Sequence, residues 1–143
     1  MGFGLPSAIG AAIAEPNRKV ILITGDGSLM MNIQELALLG EMKCNLTIAV
    51  MNNGHLGLVR QQQELFYGSN FSACRFENQL SFAKIGSAFG IESYATGESD
   101  YSKISGLFSN EGTFIADIKC APENVLPMVP PGKNNISMIG EEL

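Results

Sequence analysis

Two short clusters bring together residue types that can hold a phosphorylated ligand and a divalent cation: Gly25-Asp26-Gly27-Ser28 and Asn52-Asn53-Gly54-His55-Leu56-Gly57. In the first, Gly25 and Gly27 let backbone N–H groups come close to a phosphate, and a helix starting behind them would add the positive end of its dipole. An aspartate in such a loop repels a bare diphosphate, so Asp26 makes chemical sense with a cation between the two. Magnesium is the natural choice, because it takes hard oxygen ligands and typically joins one or two carboxylates to phosphate oxygens. The second cluster supplies the complement. Asn52 and Asn53 offer side-chain amide oxygens, and the glycines flanking His55 and Leu56 permit a tight backbone that can turn a carbonyl toward a metal.

Each cluster also has a plainer reading. GDGS by itself is a common strand-to-helix turn. It is not a dinucleotide fingerprint: neither Gly2-Phe3-Gly4 nor Gly25-Asp26-Gly27 completes GxGxxG, since Ser7 and Met30 hold the third glycine position. Asn52-Asn53-Gly54 could form a hairpin turn, but Leu56 to Leu65 lacks the alternation of a returning strand. His55 is the one histidine and has no catalytic partner in sequence, so its backbone matters more to this reading than its ring. Met30, Met31 and Met42 read as core filler.

The elements that must carry these clusters follow from hydrophobic patterning. Apolar, β-branched runs at Lys19 to Thr24, Leu46 to Met51, Ile91 to Thr96 and Thr113 to Lys119 predict strands. The first two are nearly continuous in hydrophobicity, as suits a parallel sheet covered on both faces. Helical spacing lies between them: Leu5, Ile9, Ala12 and Ile13; Leu36, Ala37 and Gly40; Phe82, Ile85 and Phe89; Ile104, Leu107 and Phe108. Asn32 with Glu35 predicts a capping-box start for the second of these helices, and Ser99 or Asp100 a cap for the last. Strands alternating with helices spell an α/β, doubly wound, mostly parallel sheet with helices on both faces. That domain would span 1–121. The proline-rich stretch from Pro122 predicts an extended C-terminal tail over 122–143.

Composition narrows the ligand. The 143 residues are 45% hydrophobic, enough to bury one ordinary core. A net charge of -5 without any Lys or Arg run speaks against nucleic acid or an anionic membrane as partner, leaving a small molecule. Cys44, Cys74 and Cys120 show no CxxC or Cys/His spacing, so neither a disulfide framework nor a zinc site is indicated and a cytoplasmic location is expected. No apolar run approaches the roughly 18 residues of a membrane span, and Met1 to Gly10 is uncharged and glycine-broken, unlike an export signal.

The order strand, GDG, helix, strand, NN, with Asn53 lying 27 positions after Asp26, resembles the signature of thiamine-diphosphate enzymes. Met1-Gly2-Phe3-Gly4-Leu5-Pro6 with Ala8-Ile9-Gly10-Ala11, the block Leu56 to Gln63 with Leu65-Phe66-Tyr67, and the ending Pro127-Met128-Val129-Pro130-Pro131-Gly132 with Met138-Ile139-Gly140-Glu141 are similar to the acetolactate synthase (acetohydroxyacid synthase) catalytic large subunit. The resemblance covers nearly the whole chain. It implies the thiamine-diphosphate-binding fold, and it implies that Asp26, the side-chain oxygen of Asn53 and the backbone carbonyl of His55 bind magnesium, with two diphosphate oxygens and a water completing an octahedron. Gly25, Gly27, Ser28, Leu56 and Gly57 would hold the diphosphate. Met1 matches the apolar residue wedged between the cofactor's two rings, and Leu58 a neighbour of the reacting carbon. The implied reaction condenses pyruvate with pyruvate or 2-oxobutyrate to acetolactate or acetohydroxybutyrate, in branched-chain amino acid biosynthesis.

The same resemblance implies what this chain would draw from elsewhere. The family's activating glutamate lies in an N-terminal domain donated across a dimer interface, and its FAD in a middle domain. No stretch here resembles either domain, so the chain reads as a partial enzyme, inactive alone, with those domains as partners in a homodimer or tetramer and a regulatory small subunit left open. The family commonly has a tryptophan between two glutamines where this chain has Gln61-Gln62-Gln63, which puts Gln62 at the acceptor substrate. Two other readings stand beside this one: another thiamine-diphosphate-dependent 2-oxo acid decarboxylase or carboligase, and a non-catalytic cofactor-binding module.

Overall fold

The computed structural model describes residues 1–42, 44–97, 105–109 and 111–140, and they fall into two compact units: Met1–Asn53 with Gln79–Ala121, and Gly54–Asn78 with Pro122–Leu143. The expected caps Ser99 and Asp100, the helix position Ile104 and the tail residue Glu141 lie outside the described residues.

The first unit is an α/β layer structure. Helix α1 (Gly4–Ala14) leads into β1 (Val20–Gly25), the short α2 (Asp26–Met30), a 3-10 turn (Ile33–Glu35), α3 (Leu36–Glu41) and β2 (Leu46–Asn52). The second unit begins at Gly54 and holds α4 (Gly57–Phe66), after which the chain returns as α5 (Phe82–Ala88), β3 (Glu92–Thr96), α6 (Gly106–Ser109) and β4 (Phe114–Lys119). The four strands pair in parallel in the order β1-β2-β4-β3. All four match the strands expected from the sequence to within a residue at each end. The central strands β2 and β4 are buried almost throughout, whereas β1, expected like β2 to be covered on both faces, stands at the end of the strand order and leaves Ile23 72% exposed.

Right-handed crossovers explain the layering. The chain moves one way across the sheet from β1 to β3, then turns back to β4. Reversal puts α6 on the face opposite the earlier helices. On the first face Ile48, Val50 and Ile115 pack with Leu5, Ile9, Leu29, Leu36, Leu39 and Phe82. On the second, Ala49, Ala116, Phe114 and Ile118 pack with Leu107, and the Tyr94 and Phe114 rings lie 5.0 Å apart. That face is thinly covered by the described residues: Ile23 is 72% exposed and Phe108 67%, beside a cleft of about 420 Å³. Close packing on the first face depends on Gly86 of α5, where a methyl group would collide with Ser93 Oγ and meet Ile115 Cδ1 at 2.8 Å.

Two local expectations need correction. Asn32 does cap a helical turn by position, yet its side chain makes no capping bond; it donates instead to the Gly2 carbonyl, and the turn it precedes is 3-10. Met31 is 57% exposed and Met30 partly open, because both sit at the end of the five-residue α2 rather than under the sheet; Met42 alone packs against the core. Helix α4, over a segment that showed no strand pattern, spans ten residues with an apolar stripe of Leu58, Val59, Leu65 and Phe66, although its one buried residue is Gln61.

The second unit is held by side-chain amides. Both functional atoms of Gln61 bond the Val125 backbone, Nε2 donating to its carbonyl at 2.8 Å and Oε1 accepting its N–H at 3.0 Å. Gln63 treats Ser72 the same way, at 2.9 and 3.0 Å. The C-terminal segment is largely irregular, with a 3-10 turn (Asn135–Ser137) inside a loop closed by reciprocal 2.8 Å bonds between Met128 and Ile139.

Candidate functional site

Strand register builds the site in the first unit. Gly25 of β1 pairs with Met51 of β2, so Asp26 leaves the sheet level with Asn52, the last residue of β2, and Asn53 follows one residue later. Adjacent strands run about 4.8 Å apart, which brings a carboxylate and an amide from two strands to neighbouring positions. That is the carboxyl edge of a parallel sheet, where such folds bind ligands. Asp26 is only 2% exposed and its Oδ1 accepts the Gly27 N–H at 2.6 Å. Burying a carboxylate this deeply is costly unless donors or a cation compensate it. A buried carboxylate beside a half-buried amide is a hard-oxygen donor set, and it suits magnesium rather than a thiophilic metal.

The two asparagines separate in role. Asn53 is half-buried at the edge, whereas Asn52 is 4% exposed and turned inward, its Nδ2 donating to Leu80 O at 3.0 Å and Asp117 Oδ1 at 2.8 Å. Helix α2 starts on Asp26 itself and spans five residues, so the dipole expected behind the turn is small. A contact the sequence did not announce also ties the N-terminal segment to this turn. The Gly2 N–H donates to Ser28 Oγ at 3.0 Å while Asn32 Nδ2 donates to the Gly2 carbonyl. Gly2 has φ +79, and a side chain there would meet Asn32 Nδ2 at 2.9 Å. The clip holds Met1, 73% exposed, one residue from the Gly27-Ser28 turn. Its signal in the sequence is only a glycine, a serine and an asparagine, too common to be read without the partners.

In the second unit, Phe76 N–H donates to Gly54 O at 2.9 Å and Leu56 N–H to Cys74 O at 2.7 Å, flanking an antiparallel bridge between His55 and Arg75. In that pattern His55 occupies the non-hydrogen-bonded position, so its own carbonyl is directed away from the 74–76 segment. Leu56 spends its N–H within this ladder, which makes Gly57, the first residue of α4, the better placed of the two to meet a phosphate. Leu58 is 60% exposed, and Gln62 is exposed beside a cavity of about 270 Å³ that it lines with Val59, Gln63, Tyr67 and Asn70. In the first unit, burial pushes the Lys19 ammonium down, opposed by Glu111, and pushes the Tyr94 phenol up. Among the described residues no cluster of three His, Cys, Asp or Glu side chains forms, and no helix is long and apolar enough to cross a membrane.

A parallel α/β sheet with an acidic turn and an asparagine at adjacent strand ends is the arrangement of a diphosphate-cofactor domain. Residues 1–115 match the thiamine pyrophosphate enzyme, C-terminal TPP binding domain, and the chain belongs to that family. Thiamine pyrophosphate, or thiamine diphosphate, is the cofactor of the domain. The chain is 45% identical to the acetolactate synthase isozyme 1 large subunit of Escherichia coli (strain K12), over 99% of its own length and 26% of that protein's. It is 40% identical to the acetolactate synthase large subunit of Porphyra purpurea, over 98% and 24%, and 38% to the Escherichia coli isozyme 2 large subunit, over 97% and 26%. The chain therefore spans about a quarter of the length of the curated relatives it matches. A solved thiamine diphosphate-dependent 4-hydroxybenzoylformate decarboxylase of Rhodococcus jostii RHA1 superposes with a TM-score of 0.76 at 24% identity, over 87% of this chain and 24% of that one, and shares the fold.

Proposed function

We propose that this chain is the thiamine-diphosphate and magnesium binding portion of an acetolactate synthase large subunit. The observation that carries the metal assignment is the β1–β2 register, which brings Asp26 and Asn53 to one edge of the sheet 27 residues apart in sequence. Asp26 and the Asn53 side-chain oxygen would hold magnesium, with the His55 carbonyl as third protein ligand. Gly25, Gly27, Ser28 and Gly57 would hold the diphosphate through their backbone N–H groups, while the Leu56 N–H donates to Cys74 O and its carbonyl accepts the Arg60 N–H. Met1 would pack against the cofactor's rings and Leu58 near its reacting carbon.

Thiamine diphosphate, when bound, supplies the carbanion chemistry by which a 2-oxo acid loses carbon dioxide and its remaining two-carbon unit is passed to a second 2-oxo acid. The residues of this chain contribute anchorage and orientation. Asp26 lets a cation offset the charge of the diphosphate, and the apolar side chains of Met1 and Leu58 fix the cofactor's shape and exclude water from its reacting face. FAD and the glutamate that activates the cofactor belong, on this reading, to other domains of the longer subunit, which works as a homodimer or tetramer in the cytoplasm.

The test is a calorimetric titration of the full-length protein with thiamine diphosphate, with and without magnesium, in the native form and in Asp26→Ala. Native protein should bind tightly only with magnesium, and Asp26→Ala should lose about 2–5 kcal/mol, the usual cost of truncating one side of a buried charge pair. Unchanged affinity and unchanged magnesium dependence in the variant would remove Asp26 from the metal site.

A further inference from the structure

We propose that Asp117 is a positioning residue for the metal-binding loop: its carboxylate pins Asn52 at the end of β2 and so sets the direction in which Asn53 leaves the sheet. The inference rests on the reading of Asn53 as a magnesium ligand.

Asp117 lies in the middle of the apolar strand β4, with 0% of its surface exposed, on the sheet face that carries Ile48, Val50 and Ile115. Every other residue from Phe114 to Ile118 is apolar, and a valine at this position would complete the strand without the cost of burying a carboxyl group. What the carboxyl provides is a three-way tie. Its Oδ1 accepts the Asn52 Nδ2 at 2.8 Å and its Oδ2 accepts the Phe82 N–H at 2.9 Å, the first backbone donor of α5. Lys119 Nζ stands 3.9 Å from Oδ1 and donates to Leu80 O at 3.0 Å, the same carbonyl that accepts the second bond from Asn52 Nδ2.

Asn52 is thereby fixed from two sides. Its amide nitrogen is committed to Asp117 and Leu80, and its carbonyl accepts the Cys120 N–H at 3.3 Å. The next residue in the chain is Asn53. Its point of departure is set by these bonds, while its own side chain remains half-buried at the sheet edge. Partners one step behind a metal ligand commonly control how well that ligand is aimed, and losing one costs about 10- to 100-fold in metal affinity.

The experiment is a double-mutant cycle in the full-length protein at saturating thiamine diphosphate. Magnesium affinity is read by calorimetry for native protein, Asp117→Asn, Asn53→Ala and the pair, with the unfolding midpoint of each measured alongside. Asp117→Asn keeps the size of the side chain but turns an amino group toward one of the two donors. It should weaken magnesium binding about 10- to 100-fold where Asn53 is present and have little effect on magnesium where Asn53 has been replaced, although both proteins lose thermal stability. Asn52→Ala, which removes the intermediate link directly, should follow the same pattern and serves if Asp117→Asn folds poorly. Equal losses of metal affinity in both backgrounds, or no loss in a folded Asp117→Asn or Asn52→Ala protein, would overturn the proposal. If Asn53→Ala alone left magnesium affinity untouched, the ligand reading would fail first and the positioning role with it.

Discussion

Gln62 differs from the glutamines on either side of it. Gln61 is 1% exposed and clamps Val125, Gln63 clamps Ser72, and Gln62 is exposed along a cavity of about 270 Å³ that Gln63 also lines. On the proposed reading this position lies at the acceptor substrate. Pyruvate and 2-oxobutyrate differ by one methylene, which an apolar wall can discriminate by about 1–3 kcal/mol. A glutamine offers less apolar area than an indole and an amide that must stay hydrogen-bonded, so the larger acceptor gains little. The full-length enzyme should therefore use the two acceptors with similar efficiency, and Gln62→Trp should raise the ratio of acetohydroxybutyrate to acetolactate in an equal-concentration competition assay. A strong native preference for 2-oxobutyrate that Gln62→Trp fails to increase would take residue 62 out of the acceptor pocket. At this scale, the placing of Asp26 and Asn53 beside adjacent strand ends was legible, because the apolar runs before them mark β1 and β2. Asp117, Gln61 and Gln63 were not, since each acts through a partner, and two of those partners are 64 and 65 residues distant.

Elements were legible where burial is one-sided and apolar. The central strands and helices α1 and α5 show it, whereas Ile23 of β1 and Ile13 of α1 are exposed and α3 buries Leu36 and Leu39 rather than Ala37 and Gly40. Helix α4 has the helical spacing of Leu58, Val59, Leu65 and Phe66 but buries a glutamine instead of a leucine, and α2 is too short to show a period. The Asn32 capping box failed for a related reason: a short polar side chain can satisfy either its own helix or a neighbouring segment, and the Gly2 carbonyl won. Helix α5 yields a quantitative test. Alanine is the better helix former by about 1 kcal/mol over glycine, yet at Gly86 its methyl group would press on Ser93 Oγ, which is itself held by a 2.8 Å bond to Ile91 O. Overpacking of this kind costs about 1–3 kcal/mol. Gly86→Ala should thus lower the denaturant midpoint, with a net loss of about 0–2 kcal/mol after the helix gain; a clear rise in stability would mean that α5 can shift away from the sheet.

As a whole, the chain reads as a cofactor platform that depends on other domains for turnover. Its first unit carries Asp26, Asn53 and the Met1 clip, and its second carries His55, Gly57, Leu58 and Gln62. On the proposed reading, the activating glutamate and half of the pocket around the cofactor come from domains that these 143 residues do not resemble. The isolated chain should therefore form no measurable acetolactate from pyruvate and bind thiamine diphosphate only weakly, and steady turnover by purified chain free of host enzyme would contradict this dependence. The most direct test of the central claim is product analysis of the full-length protein incubated with pyruvate, thiamine diphosphate, magnesium and FAD. The account predicts acetolactate as the product, formed with release of carbon dioxide. Acetaldehyde in place of acetolactate would make the protein a decarboxylase of the same cofactor class and contradict its assignment as an acetolactate synthase.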